Sequence, residues 1–92
     1  MAYRLIYPDT YLRKARKFLK RHPELQNQYQ KTLELLEINP HHPSLRLHKL
    51  TGRLNGLSSV SINRSYRILL AAIIHDRDII LVDIGDHDRV YS

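Results

Sequence analysis

The spacing of hydrophobic and polar positions changes along this chain, and the changes mark its elements. "YRLIYP" (Tyr3 to Pro8) is short, aromatic and β-prone, and the proline ends it, which predicts an opening strand. In "TYLRKARKFLKRHP" the apolar residues Leu12, Ala15, Phe18 and Leu19 fall on one helical stripe. Arg13, Lys14, Arg16, Lys17, Lys20 and Arg21 take the other side at ~100° per residue. Asp9 or Thr10 stands where a side chain caps such a helix. His22-Pro23 breaks it, and Pro23 suits the first turn of a second helix. Leu25, Tyr29, Leu33 and Leu36 repeat at helical spacing to about Ile38, before Asn39-Pro40 stops the run. Two helices joined by a tight turn make an antiparallel hairpin.

"NPHHPS" is a proline-bounded loop, followed by "LRLHKLTGRLNGLSS" with two glycines. Three β-prone runs come next: Ser58 to Asn63, Tyr66 to Ile74 and Asp78 to Gly85. "NRS" and "HDRD" between them have the composition of hairpin turns, and such short connections imply antiparallel neighbours. The run from Tyr66 is apolar almost throughout after Arg67, which makes it the central strand. The predicted architecture is β-α-α-β-β-β, an α+β domain in which an N-terminal helical hairpin packs on one face of an antiparallel sheet.

Length and composition narrow this picture. The 92 residues make one domain, able to bury roughly 60–65% of its unfolded surface. There is no cysteine, so neither disulfides nor thiolate chemistry are available. The first twenty residues are basic and amphipathic, unlike a secretory signal. No apolar run approaches the ~20 residues that cross a bilayer, and a soluble cytoplasmic protein is expected. The formal charge of +6 is unevenly spread. Tyr11 to Arg21 holds six Lys/Arg and no acid. His41 to His75 again lacks Asp and Glu but carries Arg46, Lys49, Arg53, Arg64 and Arg67. One such run is usually a solvated face; two in so small a domain favour a polyanionic partner.

Three motifs in sequence carry a resemblance. They are H-x-L-x-G at His48 to Gly52, Y-R-I at Tyr66 to Ile68, and G-x-H-x-x-x-Y at Gly85 to Tyr91. In this order, behind a helical hairpin, they resemble the RelE/ParE superfamily, the toxin halves of type II toxin–antitoxin pairs. The first motif is that of YafQ-type toxins, and the second recurs in RelE and YoeB. The superfamily contains ribosome-dependent messenger-RNA endonucleases and a ParE branch that poisons DNA gyrase. ParE-like chains generally lack the histidine set, so His48 and His87 draw this sequence toward the RNA-cleaving branch.

Metal-free RNA cleavage needs a base for the 2′-OH proton, an acid for the leaving 5′ oxygen and positive charge at the phosphorane. An imidazole titrating near ~6.5 can fill either proton-transfer role, and a guanidinium fork matches phosphate oxygens. The resemblance implies His48 as base and His87 as acid, with the roles exchangeable. It places Arg67 beside the scissile phosphate and Tyr91 as an aromatic that stacks on a nucleotide. Without the resemblance, His48 reads as a surface histidine at a turn and His87 as an exposed tail residue. Tyr66 has two readings of equal standing, nucleotide stacking and ordinary strand packing. Arg46, Lys49, Arg53, Arg64, Lys17 and Lys20 are candidates for RNA phosphate contacts.

The chain also departs from its relatives. Ser61 and Ser65 stand where YafQ-type toxins carry a second histidine and an aspartate, and Ser59 and Ser61 where RelE-type toxins have lysines. No acid matches the glutamate of YoeB-type toxins. His41-His42 and Asp86-His87-Asp88 lack the spacing of an established metal site, so no metal and no cofactor is expected. The expected function is a metal-independent, ribosome-dependent messenger-RNA endonuclease that a small antitoxin neutralises. The expected partners are that antitoxin, the ribosome and messenger RNA, with operator DNA reached only through the antitoxin and no membrane. The alternatives are a gyrase inhibitor, or a degenerate toxin that only binds its antitoxin.

Overall fold

Why the strand from Tyr66 occupies the middle of the sheet follows from which of its neighbours can shield it. The computed structural model describes residues 2–73, 76–86, 88 and 90. Its elements are β1 (Arg4–Ile6), α1 (Asp9–Arg21), α2 (Gln26–Ile38), β2 (His48–Lys49), β3 (Ser58–Ser61), β4 (Tyr66–Ile73) and β5 (Asp78–Asp86). The strands pair in the order β1-β5-β4-β3-β2, with β4 in the centre as its apolar content predicts. β2–β3, β3–β4 and β4–β5 are antiparallel, whereas β1 runs parallel to β5. The expected α+β architecture is therefore present, with two refinements. One edge of the sheet is a parallel pair, and the glycine-containing segment supplies a two-residue strand, β2, at the other edge.

One face of the sheet is covered by the helices. Val60, Ile62, Ile68, Leu70, Ile79, Leu81 and Ile84 share a single core with Tyr11, Ala15, Phe18, Tyr29 and Leu36. The register between β4 and β5 slips once: Leu69 pairs with Asp83 and Leu70 with Leu81, leaving Val82 as the extra residue of a bulge. Strict alternation from Ile79 and Leu81 would turn Ile84 away from the helices, and the bulge restores it.

The buried stripe of α1 is rotated relative to the sequence expectation. Tyr11, Ala15 and Phe18 are buried while Leu12 is 38% exposed. A tyrosine can take the more central position because its hydroxyl has a partner: Tyr11 and Tyr29 share a 2.8 Å hydrogen bond between α1 and α2. The cap expectation is also corrected. Pro8 occupies the N-cap, its carbonyl accepts the Leu12 N–H at 3.0 Å, and no side chain caps the helix. Asp9 is already helical, so its charge sits in the first turn, where it complements the helix dipole. Pro23 opens a 3₁₀ turn, Pro23–Leu25, that leads into α2.

At the parallel edge, the Arg4 guanidinium donates two hydrogen bonds of 2.9 Å to the Asp78 carboxylate. Arg77, with φ 57°, turns the β4–β5 connection and sets its guanidinium 4.4 Å from the Tyr3 ring centroid. Both contacts tie β1 to the start of β5.

Burial pushes the Tyr11 and Tyr29 phenols above their ordinary range, with the neighbouring Tyr29 hydroxyl adding to the effect at Tyr11. The unfolded chain releases these protons near pH ~10 while the folded chain retains them, so stability is full below ~10 and falls above it. Each phenol should remove about 1.4 kcal/mol per pH unit in that range. Denaturant unfolding from about pH 9 to about pH 11, with tyrosinate absorbance followed in parallel, should show this slope. Tyr11→Phe should flatten it.

Candidate functional site

Strand alternation gives β3 two different faces. Val60 and Ile62 enter the core under the helices, so Ser59 and Ser61 point to the opposite face, where both are buried. Two hydroxyls buried on a sheet face need partners. Arg67 of β4 supplies them. Its Nε donates to Ser59 Oγ at 3.0 Å and its Nη1 to Ser61 Oγ at 2.8 Å. Arg67 lies directly opposite Ser61 in the register, and its side chain runs back along β3 to reach Ser59. A third bond, Nη2 to the Arg46 carbonyl at 3.0 Å, comes from the segment entering β2. Three of the five guanidinium N–H donors are thereby committed, which fixes the plane of the group.

Arg46 adopts φ 49°, the left-handed conformation that costs a non-glycine residue roughly 1–2 kcal/mol. That turn aims its carbonyl at Arg67. Its exposed side chain was the sequence candidate, but its backbone oxygen makes the contact with Arg67.

His48 of β2 pairs with Ser59, so it shares the face of Ser59 and Arg67 and stands exposed at the sheet edge. Since Arg67 Nε reaches Ser59, its guanidinium end lies in the cross-strand row that His48 terminates. A shallow hollow of about 350 Å³, lined by His48, Lys49, Leu50, Thr51 and Leu54, adjoins this edge. On the other side of Arg67, β5 presents Gly85, which adds no side chain to the face. His87 and Tyr91 lie outside the described residues.

The remaining candidates are dispersed. Lys49 is exposed on β2, Arg53 in the 3₁₀ turn Gly52–Leu54 and Arg64 in the β3–β4 turn. Lys17 and Lys20 are exposed on α1, on the helix side of the sheet. Tyr66 also faces that side, with ring centroids 5.2 Å from Phe18 and 4.7 Å from His22. Adjacent residues of β4 thus serve opposite faces: Tyr66 the side of α1, Arg67 the side of Ser59 and Ser61. A second cleft, about 520 Å³, lies on the helix side between α1 and the ends of β4 and β5.

Sequence reading missed the roles of Ser59, Ser61 and the Arg46 carbonyl. The available signal was "SSVSIN" itself, where serines alternate with core aliphatics and therefore require buried partners on the second face.

No protein-family model and no curated protein sequence matches the chain. Solved structures do. YafQ from E. coli strain BL21(DE3) superposes with a TM-score of 0.79 at 14% identity, covering 98% of this chain and 99% of YafQ. The E. coli DinJ–YafQ toxin–antitoxin complex gives 0.78 at 17% identity with 100% of both chains covered. The YoeB–YefM complex from Staphylococcus aureus gives 0.71 at 16%, covering 92% of this chain and 97% of that one. The fold described above, from the helical hairpin to the central β4, is the fold of the RelE-type toxins.

Proposed function

We propose that the chain is the toxin of a type II toxin–antitoxin pair and cleaves messenger RNA on the ribosome without a metal ion. The observation that carries this reading is the Arg67 guanidinium, held in one plane on the sheet face opposite α1 with His48 at the adjoining edge, in a YafQ-like fold. Its two uncommitted N–H donors suit a pair of phosphate oxygens. Because Ser59, Ser61 and the Arg46 carbonyl already hold the group, little reorganisation accompanies charge development on the phosphorane.

In the proposed reaction the ribose 2′ oxygen attacks phosphorus and the P–O5′ bond breaks. His48 takes the 2′-OH proton and His87 donates one to O5′, or the two exchange roles, and Tyr91 stacks on a neighbouring base. Ser59 and Ser61 carry no proton in this scheme; they position Arg67. The exposed Arg53, Arg64, Lys17, Lys20 and Lys49 contribute phosphate contacts that orient RNA without reading sequence. YafQ and YoeB were crystallised with DinJ and YefM, which supports a small antitoxin as the partner that covers part of this cationic surface. Operator DNA is then reached through the antitoxin.

Primer extension on a translated message, with purified ribosomes, tests the reading. Wild-type protein should give site-specific breaks. Arg67→Ala should lower their rate by about 10²–10³-fold, as loss of a charge-stabilising donor does. His48→Ala should lower it by about 10²–10⁴-fold. Supercoiling inhibition without RNA breaks would move the protein to the gyrase class. A wild type that neither cleaves nor arrests growth would leave only an antitoxin-binding role.

The serines give a separate prediction. Ser59→Ala combined with Ser61→Ala leaves Arg67 held only by the Arg46 carbonyl, and cleavage should fall by roughly 10–10²-fold. Restoring only Ser61 should recover part of that loss in the same assay.

A further inference from the structure

On the helix side, α1 from Arg13 onward and the ends of β4 and β5 enclose the cleft of about 520 Å³, a volume typical of small-molecule sites. Two rows of side chains from α1 and its C-cap His22 line it. Arg13, Lys17 and Arg21 form one, each four residues after the last; Lys14, Phe18 and His22 form the next. Tyr66 closes the opposite wall. The rings of Phe18, His22 and Tyr66 pack together with centroids 4.7–5.2 Å apart, so one end of the cleft is aromatic and the rest of the α1 wall cationic.

The cationic row is not explained by pairing inside the protein. Lys14 reaches Asp83 at 3.9 Å and His22 reaches Glu24 at 3.6 Å. Among the described residues, no carboxylate pairs with Arg13, Lys17 or Arg21. Like charges four residues apart on a helix repel and cost stability. A bound dianion would reverse the sign of that interaction. The negative end of the α1 dipole disfavours an anion beside Arg21, which directs a phosphate to Arg13 and Lys17. The aromatic end, flanked by the Arg21 guanidinium, then suits a flat heterocycle through stacking and cation–π contact. Asp86, at the β5 wall, would repel the phosphate and can accept a hydrogen bond from an amino or hydroxyl group.

We propose that this cleft binds a single nucleoside 5′-phosphate, taken either free or as one residue of an RNA strand. The site is independent of the proposed cleavage chemistry, because Tyr66 and Arg67 face opposite sides of β4. A strand held by backbone charge alone has no use for the ring wall, and inorganic phosphate has none either.

Amide chemical-shift titrations and calorimetry on the full chain test this, using AMP, GMP, CMP and UMP, with adenosine, inorganic phosphate and an RNA hexamer as comparisons. At least one mononucleotide should bind one-to-one with a dissociation constant below ~1 mM and shift Phe18, His22, Tyr66 and Asp86. It should bind at least ~10-fold more tightly than adenosine or phosphate. Lys17→Glu, an exposed substitution, should weaken it by at least ~10-fold; His22→Ala should weaken the nucleotide but not phosphate. A hexamer that shifts the same four residues identifies a strand as a source, and a hexamer that does not leaves free nucleotide. Phosphate binding as tightly as every nucleotide, or hexamer binding alone with shifts spread along the basic face, overturns the pocket. Arg67→Ala should retain nucleotide binding even where cleavage is lost, so the two proposals fail separately.

Discussion

Two-residue alternation along β4 is the constraint on which the rest of the molecule depends. Ile68 and Leu70 must enter the core beneath the helices, which forces Arg67 to the other face and Tyr66 back toward α1. Neither residue could exchange places with its neighbour without burying a guanidinium among aliphatic side chains. The Val82 bulge extends the same logic to β5, keeping Ile84 in the core while Gly85 falls opposite Arg67. A sheet with α1 and α2 on one side thus acquires two chemically distinct faces from one short peptide.

Arg67 illustrates how a polar sheet face stays stable. Ser59 and Ser61 are small enough to be covered by the arginine that they bind, and each hydroxyl finds a charge-assisted hydrogen bond in place of water. The same contacts hold the guanidinium against rotation, so the interaction that satisfies buried hydroxyls also orients a cation. The left-handed turn at Arg46 adds the third contact and carries a conformational cost that this contact offsets.

Much of this was legible from the sequence because it rests on local rules. The proline breaks, the helical periods and the apolar run after Arg67 each report a constraint acting within a few residues. What escaped was set by tertiary partners. Tyr11 displaced Leu12 from the buried stripe because Tyr29, on another helix, satisfies its hydroxyl. The parallel pairing of β1 depends on a strand at the far end of the chain. The serines looked like missing ionisable groups when compared with relatives, and their function emerged only once the β3–β4 register put Arg67 opposite Ser61. Tyr66 was open between two readings; the structure packs its ring against Phe18 and His22, and the same contacts build the wall of the α1 cleft.

The pairing of β1 with β5 also sets an order of events. Arg4 and Asp78 are 74 positions apart, so the first strand can find its place only after the last has been made. Closing a loop of this length carries an entropic cost that must be met before the contact forms, and such long-range pairings slow folding. Until Asp78 to Ile80 are in place, Arg4 to Ile6 have no strand to pair with and that edge of the sheet is incomplete. Every surface bordered by β1 therefore depends on the segment from Asp78 onward.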